Sequence, residues 1–374
     1  MFKLKDSLPT LPQTIPKTMS AVLLRSHGGF DAMDYCDDVP VPVVAADEVL
    51  IKVAAAGVNN TDINTRIGWY SKSISDGTNE GGDGFIEVTN EDASWTGEAL
   101  KFPRIQGADC CGRIVAVGEG VDSSRVGERV LVRTMLRSYV DYSPFGCMTF
   151  GSECDGGFAQ YTKAPARESY KVECGWTDAE LASIPCAYST AEGMLHRASV
   201  GAERVLITGA SGGVGSAAVQ LCKRRGAEVI AIASASKMAE VAALGADQVV
   251  ERDTDLVAVL GRESIDVVLD LVGGKQWPTL LDILKRGGRY AVAGAIAGPL
   301  VELDLRTLYL KDLSFLGCTY QDDSVFVNLL KYIEAGEIRP LVAKTYPLMD
   351  IVIAQKDFLE KKHIGKLVLI PPQK

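Results

Sequence analysis

The residues best placed to do chemistry form one short stretch, Arg204-Val-Leu-Ile-Thr-Gly-Ala-Ser-Gly-Gly-Val-Gly215. An apolar run with the texture of a buried strand ends in a glycine-rich turn, and small and apolar residues from Ser216 to Cys222 then predict a helix. Such a turn lets the backbone approach a pyrophosphate, while the helix N-terminus offers free N–H groups and partial positive charge. The fingerprint reads Ala210-x-Gly212-x-x-Gly215, with alanine at the first of the three glycine positions. A strand before it and a second strand at 228–234 supply the context such a motif needs. Ala210, Ser211, Gly212, Gly213, Val214 and Gly215 are therefore the candidate phosphate cradle.

The next strand indicates which dinucleotide. A carboxylate at its end would bind the ribose 2′-hydroxyl of NAD. Here the strand runs into Ser234-Ala-Ser236-Lys237, two hydroxyls and an ammonium with no carboxylate to repel a 2′-phosphate. NADP(H) is the expected cofactor, with a solvated first-turn charge as the plainer reading of Lys237.

These residues need a large scaffold. The chain has 374 residues, 47% hydrophobic and 23% charged, which suits two soluble domains with a substantial core. A net charge of −9 argues against nucleic acid as a partner. No apolar run approaches the roughly 20 residues of a membrane span, and the polar stretch 1–18 lacks the apolar centre of a signal peptide. Nine scattered cysteines without a C-x-x-C pair read as reduced thiols, so a cytoplasmic location is expected.

Short β-rich segments at 21–25, 48–56, 112–117 and 129–133 predict an irregular barrel-like first domain. From about Asp178 the pattern becomes strands at 204–208, 228–234, 248–251, 266–271, 289–293 and 313–319 alternating with helices at 214–225, 237–244, 256–260 and 277–285. That is an α/β arrangement, a doubly wound parallel sheet. A helix at 325–335 and a strand at 366–370 are expected to return to the first domain. The predicted organisation is thus 1–177 with 321–374 as one unit and 178–320 as the nucleotide-binding unit. Residues 76–98 stand apart, with seven carboxylates, no Lys or Arg, and Gly81-Gly-Asp-Gly84. They read as a solvated loop or a cover over the substrate cleft.

The whole pattern resembles the medium-chain dehydrogenase/reductases. The matches are Gly209-Ala-Ser-Gly-Gly-Val-Gly215, Gly365-Lys-Leu-Val-Leu369, Val58-Asn59 with Asp62, Gln106-Gly-Ala-Asp109, Gly112-Arg-Ile-Val-Ala-Val-Gly118 and Gly157-Phe-Ala-Gln-Tyr161. The resemblance implies a GroES-like β-rich catalytic domain beside a Rossmann domain. Departures lie at 76–98 and near 136–153.

Zinc-dependent members carry Cys-His where this chain has Asn59-Asn60, and Gly-His-Glu where it has Gly107-Ala108-Asp109; only the third ligand, Cys186, is kept. A catalytic zinc needs three protein ligands and an open position, so no metal site is expected. Without zinc to stabilise an alkoxide, a conjugated acceptor is easier to reduce than a simple ketone. Charge then spreads onto an oxygen that hydrogen bonds can hold. The stretch Val58-Asn-Asn-Thr-Asp-Ile-Asn64 through Gly68-Trp-Tyr70 resembles the signature of zinc-free quinone and enoyl-thioester reductases. By that resemblance Tyr70 donates to the substrate oxygen, or closes the pocket wall; Asn59 faces the nicotinamide, its amide holding substrate oxygen or serving structure alone, and Asn64 is the further candidate of the same signature. The resemblance also places Thr190 and the Ala293-Gly294-Ala295 backbone at the nicotinamide, Val272 at the groove edge, and Lys366 near the pyrophosphate or on the surface.

The expected function is NADPH-dependent hydride transfer to an activated double bond or a quinone. The alternatives are an alcohol dehydrogenase with an unconventional zinc site and a nucleotide-binding protein with little turnover. A small-molecule substrate and a homodimer built on the edge strand at 313–320 complete the expectation.

Overall fold

In the computed structural model, which describes residues 15–85, 88 and 91–373, β1 (Thr18–Leu24) and β2 (Met33–Pro40) form an antiparallel pair. Strand β3 (Glu48–Gly57) leads directly into helix α1 (Asn60–Ile67). The two-residue β4 (Arg104–Ile105) closes the small sheet against β1. Strands β5 (Cys111–Val117) and β6 (Arg129–Val132) extend a larger sheet from β3. β7 (Met135–Leu136) and β8 (Met148–Thr149) pair as a separate ribbon. β9 (Tyr161–Pro165) pairs with β3, and β10 (Ser169–Lys171) with β6. Residues 1–14, which contain most of the polar N-terminal stretch, and Glu87 lie outside the described residues.

Helices α2 (Asp178–Leu181) and α3 (Pro185–Arg197) lead into the second sheet. Strand β11 (Arg204–Ile207) is followed by α4 (Gly213–Arg224), β12 (Glu228–Ala233), α5 (Met238–Ala243), β13 (Gln248–Glu251) and α6 (Leu256–Leu260). The second half holds β14 (Ile265–Asp270), α7 (Trp277–Ile283), β15 (Leu284–Val292), α8 (Leu305–Leu310) and β16 (Ser314–Gly317). All neighbours in this sheet are parallel, in the order β13-β12-β11-β14-β15-β16. This is the Rossmann order, and the strand direction of travel reverses between β11 and β14, where such sheets bind ligands. Buried on both faces, β11, β12 and β14 read as continuous apolar runs, which is why their positions were legible. Helix α7 stops at Ile283, two residues short of the expected end, because Leu284 already pairs with Ile265.

The chain closes with α9 (Asp323–Glu334), β17 (Val342–Pro347), α10 (Ile351–Leu359) and β18 (Lys366–Ile370). Strand β18 pairs antiparallel with the end of β3, Val368 opposite Gly57, and β17 joins its other side. That return sets Lys366 beside the β3–α1 junction. Helix α9 does not go back with them: Phe326, Leu329, Leu330 and Ile333 share one apolar cluster with α3, α4 and the parallel sheet.

Candidate active site

The candidate phosphate cradle is built by steric necessity. Gly209, leaving β11, has φ +59, a left-handed conformation that favours glycine. A Cβ on Gly215 would lie 2.3 Å from the Gly209 carbonyl oxygen, so only glycine lets α4 pack against the turn. Gly212 caps the helix and is exposed, leaving the first-turn N–H groups open to an anion. Val272 and Gly273 face the same groove across the sheet. Their N–H groups donate to Asp270 Oδ1 at 2.9 and 3.2 Å, and Thr208 Oγ1 donates to the same oxygen at 2.6 Å. Tyr290 donates its hydroxyl to Oδ2 at 2.6 Å, so fully buried Asp270 fixes the far wall of the groove. Gly294 is held close: a Cβ there would lie 2.8 Å from the Leu271 carbonyl oxygen.

At the end of β12, Ser234 is partly buried and Ser236 exposed, their hydroxyls 3.5 Å apart. Lys237 is neither a solvated charge nor turned toward them. It is buried, and its ammonium donates to the main-chain oxygens of Lys361 and of His363, the latter at 2.9 Å. Burial, and then the charge of Arg252, lower its pKa. Exposed Arg252, just past β13, is thus a second cation near this end of the groove. Nothing in the glycine motif pointed to Arg252 or to Asp270; the only trace was a lone acid closing the run Asp266-Val-Val-Leu-Asp270.

The candidate reacting end lies where β3 meets α1. Asn59 caps the helix, its N–H donating to Asp62 Oδ2 at 2.7 Å, and Gly68 ends it at φ +71. Asn59 Nδ2 donates to Asp109 Oδ2 at 2.8 Å and to the Gly57 oxygen at 3.3 Å, and its Oδ1 accepts from Lys366 Nζ. The amide is therefore committed inside the protein and has no donor left for a substrate oxygen. Lys366 also pairs with Asp109 Oδ2 at 2.9 Å, and Asp109 Oδ1 accepts the Cys186 N–H at 2.6 Å at the start of α3. Lys366 is thus buried in an ion pair, not on the surface, with its alkyl chain over Gly213, where a Cβ would lie 2.9 Å from Cδ.

This set does not fit zinc. Asp109 is already held by an ammonium, an amide and a backbone N–H. Burial pushes the Cys186 thiol well above its usual range, opposing the thiolate that zinc binds. A divalent cation here would face the Lys366 charge.

Tyr70, just beyond α1, is partly buried and donates to Thr61 Oγ1 at 3.0 Å. Burial raises its pKa, so the phenol stays protonated. Asn64 Oδ1 accepts from Thr78 Oγ1 at 3.0 Å and from Asn60 Nδ2 at 3.3 Å. Thr190 sits on α3, one turn after Cys186. The acidic stretch is not simply a solvated loop. Thr78, Ala93 and Ser94 are buried, and the Trp95 ring lies 5.7 Å from that of Tyr70. A Cβ on Gly77 would lie 2.6 Å from the Ile296 oxygen, so the stretch reaches the nucleotide-binding sheet's own loop. Thr78 and Trp95 could not be found from the sequence, because the stretch has no periodicity.

Fold and site together define a dinucleotide-dependent oxidoreductase. Residues 45–173 match the alcohol dehydrogenase GroES-like domain, and residues 213–335 match the zinc-binding dehydrogenase domain. The chain is similar to an acryloyl-coenzyme A reductase from Metallosphaera sedula, 28% identical over 94% of this chain and 99% of that protein. It is similar to a quinone oxidoreductase from Lama guanicoe, 29% identical over 95% and 98% of the two chains. Among solved structures, a candidate alcohol dehydrogenase from Sinorhizobium meliloti 1021 is 47% identical, with a TM-score of 0.86 over 96% of this chain and 98% of that one. The chain belongs to the medium-chain dehydrogenase/reductase family and is of its quinone and enoyl reductase type.

Proposed function

We propose that the protein is an NADPH-dependent reductase that delivers hydride to a conjugated acceptor, an enoyl thioester or enone before a quinone, without catalytic zinc. The observation that carries this reading is the buried Asp109–Lys366 pair, which bonds to Asn59 and to the Cys186 N–H, two of the positions where the family resemblance puts zinc ligands. The relatives named for acryloyl-coenzyme A and quinone reduction favour the same substrate class. Ser234 and Ser236, with no carboxylate at the end of β12 and Arg252 near by, favour NADPH over NADH.

The cofactor, when bound, supplies hydride to the β-carbon of the acceptor. The double-bond electron pair then moves toward the carbonyl, leaving charge on oxygen and requiring a proton at the α-carbon. Tyr70 turns its hydroxyl from Thr61 to that oxygen and holds the charge by a hydrogen bond. Because burial disfavours the phenolate, Tyr70 acts as a donor of a hydrogen bond more readily than as a full acid. The proton that reaches the α-carbon comes from solvent or is relayed through Tyr70. Asn59 and Asn64 position these groups: Asn59 by linking Lys366 to Asp109, Asn64 by bonding Thr78 of the acidic stretch. The backbone at Gly294 and the Thr190 hydroxyl hold the nicotinamide, and the Trp95 ring forms one pocket wall.

We assign 178–320 with helix α9, which packs against the parallel sheet, to cofactor binding, and 1–177 with β17, α10 and β18 to the substrate side. The outer edge of β16 ends the parallel sheet, and Leu300, Leu305, Tyr309 and Leu310 beside it are exposed. An apolar edge of this kind needs a cover, and a second copy of the chain supplies it in a homodimer. The nine cysteines are free thiols, which suits a reducing, cytoplasmic setting. No helix among the described residues is long and apolar enough to cross a membrane. Steady-state assays with NADPH against a short enoyl thioester and a naphthoquinone test the reading. It requires turnover of the thioester.

The 47% identity to a candidate alcohol dehydrogenase favours a second reading, reduction of a simple carbonyl. That reading requires Asp109 to exchange Lys366 for a metal, and metal-dependent activity would reveal it.

A further inference from the structure

Among the described residues, Lys361 is a cation without an anion. It lies in the segment between α10 and β18, at φ +52, a left-handed conformation unusual for a lysine. Its ammonium reaches Asn60 Oδ1 at 3.3 Å, at the start of α1, and lies 3.9 Å from the centre of the Phe358 ring. Among the described residues no carboxylate comes within ion-pair distance of it. The same segment crosses the phosphate cradle: Gly365 N–H donates to the Ser211 oxygen at 3.4 Å, and Lys366 covers Gly213. The Lys361 main-chain oxygen meanwhile accepts from Lys237 Nζ, pinning the segment to the start of α5.

A partly buried ammonium with no anionic partner is costly unless an anion arrives. Of the charged groups around this segment, which are Lys237, Lys366, His363 and Asp357, only Lys237 acts appreciably on Lys361, and it is repulsive. We propose that Lys361 receives the cofactor's pyrophosphate, closing over it from the C-terminal segment while the glycine turn and α4 hold it from below. This rests on the reading of the turn as a dinucleotide site. In the free protein, burial and the Lys237 charge lower the Lys361 pKa to about 7. An arriving dianion favours the charged form, so binding draws a proton onto Lys361.

Calorimetric titration of the full-length protein with NADPH and with NADH, near pH 7 in buffers of different ionisation heat, tests this. NADH carries no 2′-phosphate and so reports the lysine alone. The wild type takes up about half a proton on binding NADH, as a group titrating near 7 requires. Lys361→Gln weakens NADPH and NADH equally, about tenfold each for one lost charge-assisted contact, and abolishes the uptake. Lys361→Arg keeps the affinity but not the uptake, which separates charge from folding. Unchanged affinity in Lys361→Gln, or uptake that persists in Lys361→Arg, would overturn the proposal. A loss confined to NADPH would also overturn it, by placing the ammonium on the 2′-phosphate. A wild type that binds neither nucleotide would instead overturn the proposed function.

Discussion

Lys366, on the last strand, sets its ammonium 2.9 Å from Asp109 Oδ2, with both side chains almost wholly withdrawn from solvent. The pair joins the C-terminal return strand to the loop before β5 and, through the Cys186 N–H, to the start of α3. It therefore ties together the two halves of the molecule at the site proposed for hydride transfer.

A buried pair of this kind is exposed by removing one partner at a time. Lys366→Met or Asp109→Asn alone should lower stability by about 3–5 kcal/mol, since each strands a desolvated charge or its partners. The double variant should cost clearly less than the sum of the two. Urea midpoints of the four proteins check this, and strict additivity would show that the pair is not coupled.

Tyr70→Phe removes the hydroxyl and keeps the ring against Trp95. Turnover of an enoyl thioester should fall by about 10–100-fold in kcat, in the range of a lost transition-state hydrogen bond or proton donor. Quinone reduction should change little. Equal rates on the thioester would make Tyr70 pocket wall alone.

Ser234→Asp places a carboxylate at the end of β12, where the 2′-phosphate of NADPH is expected. Its Kd for NADPH should rise by about tenfold or more through like-charge repulsion, while that for NADH stays close to the wild-type value. A matched loss of both cofactors would point to a distorted turn and no 2′-phosphate contact at this position.

His363 offers a pH test. Burial, then the charges of Lys237, Lys361 and Lys366, lower its pKa from 6.5 to about 4. The unfolded chain therefore binds a proton that the folded one refuses between those values. Its contribution is fully present above pH 6.5 and is lost as pH falls toward 4. After allowance for partial exposure this is about 2 kcal/mol. Between pH 7 and 4 the wild type should lose stability relative to His363→Gln, which has no group to titrate, as urea midpoints would report; parallel curves would contradict the assignment.

The sequence made β11, its turn and α4 legible because strands buried on both faces become apolar runs and because Gly209 and Gly215 meet demands no other residue satisfies. Lys366 was visible only as a basic residue near a phosphate or the surface. Its true partner lies far away in sequence, and no local pattern announces a long-range ion pair. Lys237 misled for a related reason: the carbonyls of Lys361 and His363 that capture it come from a segment with no periodic signal. β2 and β9 were likewise not anticipated, since Asp34, Asp37 and Asp38 interrupt the first and Lys163 and Pro165 the second. Trp95 and Thr78 reach the site on a stretch whose acidic composition described only its exposed part.

The most direct test of zinc-free hydride transfer is NADPH oxidation by protein stripped with a chelator and verified free of metal. It would be offered a short enoyl thioester beside a simple aliphatic ketone under anaerobic conditions. Zinc-free transfer requires thioester turnover that is unchanged by stripping and by added zinc, with little or no reduction of the ketone. Activity that vanishes on stripping and returns with zinc, or that favours the ketone, would contradict it.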